Sequence, residues 1–130
     1  MKLLKNLIIT IFAAAALSSC GGNSPENVIM KYRKAGLDLD FETMKKYVTK
    51  EMHKDLDKMQ TIVASFSKEE KEEIVGNAKK EVITIVSSKI NDDGNTATVA
   101  LQKKGNDAIV EELVVSLVKE DGEWKLIAPY

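Results

Sequence analysis

Residues 91–103 read NDDGNTATVALQK, a cluster of turn-forming residues followed by a stretch of alternating side chains. The Asn, Asp and Gly residues of the cluster favour a tight reversal of the chain. After the reversal, Ala97, Val99 and Leu101 occupy every second position. Because successive side chains of a β-strand point to opposite faces, this spacing predicts a strand over residues 96–103 with one buried face.

The same alternation extends on both sides of this strand. Four strands are predicted, at residues 81–90, 96–103 and 108–119 and in a last segment that carries Trp124 and Leu126. Turn-forming residues at 105–107 and 121–122 separate the later strands. Since short connections can join only antiparallel neighbours, the second half of the chain is predicted to be an antiparallel meander.

The first half of the chain shows a helical period instead. Ser24, Pro25 and Glu26 predict a helix start, because Ser caps, Pro suits the first helical position and an acid favours the positive end of the helix dipole. Gly36 is placed to end this helix. Three further helices are predicted to start near Asp40, Thr49 and Ser67. The last has a thin apolar face and is expected on the surface.

The third predicted helix is long and amphipathic, and we expect Met52, Leu56 and Met59 to form its buried stripe. Helices followed by strands indicate an α+β fold. We therefore predict N-terminal helices packed on a curved antiparallel sheet that wraps over the first and third helices. Residues 24–130 are predicted to form one domain.

The first nineteen residues have the layout of a secretory signal. Lys2 and Lys5 precede an apolar segment at residues 7–17, and Ser18 and Ser19 provide a small-residue end. The apolar segment is shorter than the about 20 residues that a transmembrane helix needs. Residues 1–19 are therefore interpreted as a signal peptide that is removed.

Leu17-Ser18-Ser19-Cys20 resembles the lipobox of bacterial lipoproteins. The resemblance implies that Cys20 carries a diacylglycerol and becomes the N-terminus, with residues 20–23 as a short, flexible tether. The expected location is the bacterial cell envelope, anchored in the outer membrane and facing the periplasm. The alternative is an ordinary cleaved signal that happens to precede a cysteine.

The totals exclude several classes of function. The net charge of −1 becomes −3 without Lys2 and Lys5, so the chain lacks the basic face of a nucleic-acid-binding protein. The single cysteine cannot close an intramolecular disulfide, and with one histidine it cannot form a Cys/His zinc site. We expect no metal, no cofactor and no nucleic acid.

Two residue patterns raise chemical alternatives. His53 and Asp57 lie four apart on one helix and could form a general-base pair, although solvated surface positions also account for them. Residues 91–95 are rich in carboxylates and amides, but their spacing does not match a calcium-binding loop. We interpret that segment as a hairpin turn.

The residues also carry a family resemblance, through four segments: Ser24 to Ile29 with Tyr32, the break at Gly36 to Phe41, the strand at Asn95 to Val99, and Lys119 to Leu126. Together they resemble small bacterial lipoproteins of the nuclear-transport-factor-two-like, or cystatin-like, superfamily, including lumazine-binding-like domains of unknown function. The resemblance implies a cone-shaped fold in which a bent sheet closes around a helix.

Three functions are compatible with that fold. The first choice is a non-enzymatic module that binds a protein partner. The second is a small-ligand-binding protein with a pocket between the first helix and the sheet, for which Tyr32, Tyr47 and Trp124 are the candidate residues. The third is an isomerase- or dehydratase-like enzyme, which would need Asp38 or Asp40 near a tyrosine. No residue is assigned as catalytic.

Overall fold

The computed structural model describes residues 23–105 and 109–128. The helices are α1 (Pro25–Leu37), α2 (Phe41–Lys45), α3 (His53–Ala64) and α4 (Lys68–Lys79), with a 3₁₀ turn at Lys50–Met52 before α3. The strands are β1 (Val82–Ile90), β2 (Thr96–Lys104), β3 (Val110–Glu120) and β4 (Glu123–Leu126). The predicted α+β class is confirmed.

The four strands form one antiparallel sheet in the order β1-β2-β3-β4, which confirms the predicted meander. Ala97 pairs with Leu117 and Val99 with Val115, so these buried side chains share the inner face. The register between β1 and β2 shifts by one residue after Ile85. Such a bulge increases the local twist and bends the edge strand.

The turn between β1 and β2 confirms the hairpin interpretation of residues 91–95. Asp93 Oδ1 accepts hydrogen bonds from the backbone N–H groups of Asn95 and Thr96, at 2.9 and 3.1 Å. The bond from Asn95 is the main reason why the pKa of the Asp93 carboxyl lies below its usual value. The Asp93 carboxylate therefore stabilises the turn by accepting its backbone N–H groups.

Helix α1 is held against the inner face of the sheet. The side-chain hydroxyl of Ser24 accepts from the N–H of Asn27 and Pro25 occupies the first turn, as predicted. One side of α1 is buried, through Val28, Ile29 and Tyr32 with Ala35. Burying one such large apolar side chain contributes about 1.5–3 kcal/mol, so this stripe supplies much of the core's stabilisation.

The C-terminus of α1 differs from the prediction, which ended the helix at Gly36. The helix continues to Leu37, and Leu39 takes the left-handed conformation with φ 53°. The N–H of Asp40 bonds to Ala35 O and that of Leu39 bonds to Gly36 O, which is a Schellman motif. Leu39 packs against the core, and this apolar contact offsets the about 1–2 kcal/mol cost of its backbone conformation.

The start of α3 also differs from the prediction. Thr49 begins the 3₁₀ turn but makes no side-chain capping bond. Its own N–H donates to Leu126 O on β4, and Glu120 from β3 accepts the N–H of Lys50 at 3.2 Å. A distant carboxylate therefore replaces the local cap, and α3 begins at His53.

Helix α3 enters the core mainly through its first turn, and Val63 near its end is partly buried against the same core. Met52 and Leu56 are buried, as predicted, whereas Met59 is 40% exposed, so its predicted burial is wrong. The sheet packs mainly on α1, which contacts β1, β2 and β4, whereas α3 has its main helix contact with α2. The surface position of α4 is confirmed, since none of its residues is buried.

The predicted signal peptide and Cys20 lie outside the described residues. Asn23, the last residue of the predicted tether, is half-buried, and its Oδ1 accepts the N–H of Trp124 at 2.8 Å. In residues 23–105 and 109–128 no helix is both long enough and apolar enough to cross a bilayer.

Two glycines test the backbone requirements of the fold. Gly122 has φ 78° in the β3–β4 turn, whereas Gly76 lies inside α4, and an added Cβ meets no atom within 4 Å at either site. We expect Gly122→Ala to lower the free energy of unfolding by about 1 kcal/mol through backbone strain. Gly76→Ala is its matched control and should raise that free energy by up to about 1 kcal/mol. Urea unfolding checks both, and changes of the same sign would contradict the assignment.

Candidate functional site

The three residues predicted to line a pocket lie in or beside the hydrophobic core. Tyr32 on α1 and Trp124 on β4 are each 5% exposed, and Tyr47 is partly buried against the same core. Burial raises the pKa of the Tyr32 phenol. Lys119 Nζ lies 5.2 Å from the centroid of the Trp124 ring, a cation–π distance.

The space between α1 and the sheet is filled by side chains. Phe41, Met52 and Trp124 are all nearly inaccessible to solvent and belong to one core cluster with the inner face of the sheet. A pocket in that position would require some of these side chains to move. The filled interior therefore favours functions that use the outside of the domain.

His53 and Asp57 do not form a pair with each other in the structure. Nε2 of His53 donates to the carbonyl oxygen of Lys45 at 3.0 Å, and Asp57 Oδ1 lies 2.5 Å from Lys45 Nζ. The bond with Asp57 is the main reason why the pKa of Lys45 is raised. Both residues thus tie α3 to α2.

The carboxylates considered for an enzyme site lie on the surface. Asp38 and Asp40 are exposed. Asp40 accepts bonds from the hydroxyl and N–H of Thr43, at 2.6 and 3.2 Å, and the hydroxyl bond is the main reason why the pKa of Asp40 is lowered. Asp40 is therefore the cap of α2, as the sequence predicted.

The structure brings together a different set of residues, in a groove between the helices. This helical groove has a volume of about 400 Å³. It lies between α1, α2, α3 and α4. Its walls are mainly apolar: Tyr32, Gly36, Leu37, Leu39, Phe41, Met44, Met59, Val63, Ile74, Val75 and Ala78, with Arg33 and Glu81 as the charged members.

Arg33 fixes α4 beside this groove. Its Nη2 donates to the carbonyl oxygens of Ala78 and Glu81, at 3.0 and 2.7 Å. The carbonyls at a helix C-terminus lack intrahelical partners, and a cation is favoured there by the helix dipole. Arg33 thus stabilises a helix that has no buried residue of its own.

Arg33 is half-buried and forms no ion pair within 4 Å with any carboxylate in the described part of the chain. The Glu81 carboxylate, also at the groove, lies 3.6 Å from Lys103 Nζ instead. Sequence reasoning missed this arginine because its partners lie more than forty residues away. The only local signal was an arginine beside the inward-facing Tyr32.

A second, charged cleft of about 590 Å³ lies between α2 and the β3–β4 turn. Three of its four lysines have ion-pair partners: Lys45 with Glu42 and Asp57, Lys50 with Asp121, and Lys125 with Glu123. Across residues 23–105 and 109–128, no three His, Cys, Asp or Glu side chains are grouped so that they could hold a metal ion. This cleft shows charges that are already compensated.

Comparison with known structures supports the fold class. A crystal structure from Campylobacter jejuni, provisionally described as an NTF2-like transpeptidase, is similar to this chain with a TM-score of 0.51 and 19% sequence identity. The similarity covers 82% of this chain and 100% of the other. At this identity the likeness shows the fold alone, which is NTF2-like, in agreement with the resemblance inferred from the sequence.

The family is shown by a direct match over residues 18–127. The chain belongs to the family described as "Domain of unknown function (DUF4878)". A search of curated proteins found no match.

The role of Arg33 can be tested directly. We expect Arg33→Gln to lower the free energy of unfolding by about 1 kcal/mol, because two charge-assisted bonds are lost at a half-buried site. Amide hydrogen exchange in α4 should become about tenfold faster, while exchange in β2 and β3 changes little. Lys31→Gln, an exposed substitution on the same helix, is the control. Equal exchange in both variants would contradict this role.

Proposed function

We propose that this protein is a lipid-anchored component of the bacterial envelope whose domain binds a protein partner. The filled space between α1 and the sheet is the observation that carries the binding part of the proposal. It favours recognition by the outer surface over chemistry inside the cone. The similar structure's transpeptidase description is not extended to this chain, because none of the candidate acid or base residues above is joined to another in a catalytic arrangement.

The anchoring part of the proposal rests on the lipobox-like Leu17-Ser18-Ser19-Cys20 and on the hydrogen bond that holds Asn23 to β4. Asn23 is bonded to β4, so only Gly21 and Gly22 separate the fixed domain from Cys20. Three residue steps span at most about 11 Å. A lipid on Cys20 would therefore hold the β4 end of the domain next to the headgroups.

The proposed location is the outer membrane, with the domain facing the periplasm. Gly21, and not Asp, follows Cys20, and no acidic run comes after it. In some bacteria an Asp directly after the lipidated cysteine favours retention in the inner membrane, and an acidic run after it favours export to the cell surface.

The outer face of the sheet offers a surface for the partner. Val114 is 71% exposed and pairs with Ala100, which in turn pairs with Ser87 next to the bulge. Val82, Val86 and Val110 are also at least half exposed. Aliphatic side chains on the solvent side of a sheet are typical of a protein contact, because water otherwise covers apolar surface at a cost.

The anchor is tested by Cys20→Ser. We expect this variant to incorporate no labelled palmitate and to leave the membrane fraction, because the thiol is the site of the thioether link. Ser18→Ala keeps the small residue of the lipobox and serves as the control, which should be lipidated normally. Continued membrane retention of Cys20→Ser with unchanged processing would overturn the anchoring proposal.

The partner surface is tested by Val114→Lys, with Ile62→Lys as a matched control because Ile62 is 57% exposed on α3, on the helical side of the domain. Native mass spectrometry of protein purified from its own envelope should show the same partner chain in the wild type and in Ile62→Lys. We expect at least about a tenfold loss of that complex in Val114→Lys, since a charge would be buried at the contact. Equal retention in both variants would remove the sheet face from the proposal.

A further inference from the structure

We propose that the helical groove binds a small amphiphile that consists of an apolar chain ending in a carboxylate. The inference does not depend on the partner proposed above, because the groove lies on the helical side of the domain and the proposed partner surface lies on the sheet. It rests on the lining of the groove, the state of Arg33 and the weak packing of α4.

The lining and size of the groove fit an apolar chain. Its volume of about 400 Å³ lies within the range of about 300–1,000 Å³ that small-molecule sites occupy. Met59 and Ile74 expose 40% and 46% of their surfaces beside it, although both belong to apolar stripes. Met44 and Met59 face the groove with flexible thioethers, which adapt to ligands of irregular shape.

Arg33 supplies the complement to a carboxylate. One of its nitrogens, Nη2, donates to the carbonyl oxygen of Ala78 at the C-terminal end of α4 and to that of Glu81 just beyond the helix. The guanidinium has five N–H donors in one plane, so several of them remain for a bound carboxylate. Since Glu81 is paired with Lys103, the charge of Arg33 has no acidic side chain as its partner within the described residues. A monoanion balances this single cation, whereas a doubly charged phosphate would leave one charge unmatched.

The wall formed by α4 is suited to admit a ligand. None of its residues is buried, and its sequence contributes only Ile74, Val75 and Ala78 to the groove. Beside it, Leu39 is held in a left-handed conformation that only a supporting environment maintains. A ligand chain that covers Ile74 and Val75 would add apolar contacts which α4 otherwise lacks.

The test uses octanoate and the neutral octyl glucoside, whose apolar chains have seven and eight carbons and which are kept below their micellar concentrations. The full chain, purified as cells process it, is placed in phosphatidylcholine nanodiscs, and hydrogen exchange of α4 is followed by mass spectrometry during titration. We expect saturable slowing of exchange in residues 68–79 by octanoate, with an affinity about tenfold or more above that of octyl glucoside. Loss of the membrane anchor alone would leave this result unchanged.

Two variant comparisons separate the parts of the site. In Arg33→Gln the affinity ratio between octanoate and octyl glucoside should fall to about one, a readout that a looser α4 does not by itself produce. Met59→Glu should weaken octanoate at least about tenfold, whereas Ile62→Glu, on the same helix but outside the groove, should not. The proposal is overturned by equal affinities for the two amphiphiles in the wild type, by equal effects of the two α3 variants, or by an absence of slowing at saturating octanoate.

Discussion

The burial of one side of α1 against the inner face of the sheet is the interaction on which the rest of the structure depends. Ile29, Leu117 and Leu126 have no solvent exposure. Ile29 lies on α1, far in sequence from the two consecutive strands that carry Leu117 and Leu126. With a single cysteine, the chain has no intramolecular disulfide to add to this stabilisation. The core is therefore filled with side chains, and little of it remains for an internal ligand site.

Strand β4 shows how the filled core sets the position of the functional surfaces. It is only four residues long, yet it bonds to β3, to Asn23 through Trp124, and to the segment at Tyr47 to Thr49 through Leu126. Asn23 is thereby held beside the start of α1. Arg33 lies eight residues after Pro25, the first residue of that helix. This separation is about 12 Å at 1.5 Å per residue. The proposed anchor therefore lies near the start of α1, whereas the helical groove lies along the later part of this helix.

Those parts of the structure that depend on local physics were predictable from the sequence. The alternation in β2 and β3, the caps at Ser24, Asp40 and Ser67 and the turn at Asp93 each arise from residues within a few positions of one another. The departures all involve distant partners. Glu120 replaces Thr49 as the cap before α3 because the fold places β3 beside it. Leu39 adopts a left-handed backbone conformation, which glycine usually occupies, because its side chain packs against the core.

The groove belongs to this second group, and the same reason explains why it was missed. Its walls come from four helices whose apolar stripes look like core when each is taken alone, and Met59 was expected to be buried for that reason. The number of apolar side chains is not the limiting factor; beyond Leu56, Met59 and Ile62 stay 40% and 57% exposed, and only Val63 is partly buried against the core. Because α4 is mostly charged, it cannot complete a second core. The outcome is a helix that is held by the two bonds from Arg33 and whose local opening should cost much less free energy than global unfolding. Any molecule that binds only the closed arrangement would stabilise α4 in proportion to its occupancy, which couples the order of this helix to the contents of the groove.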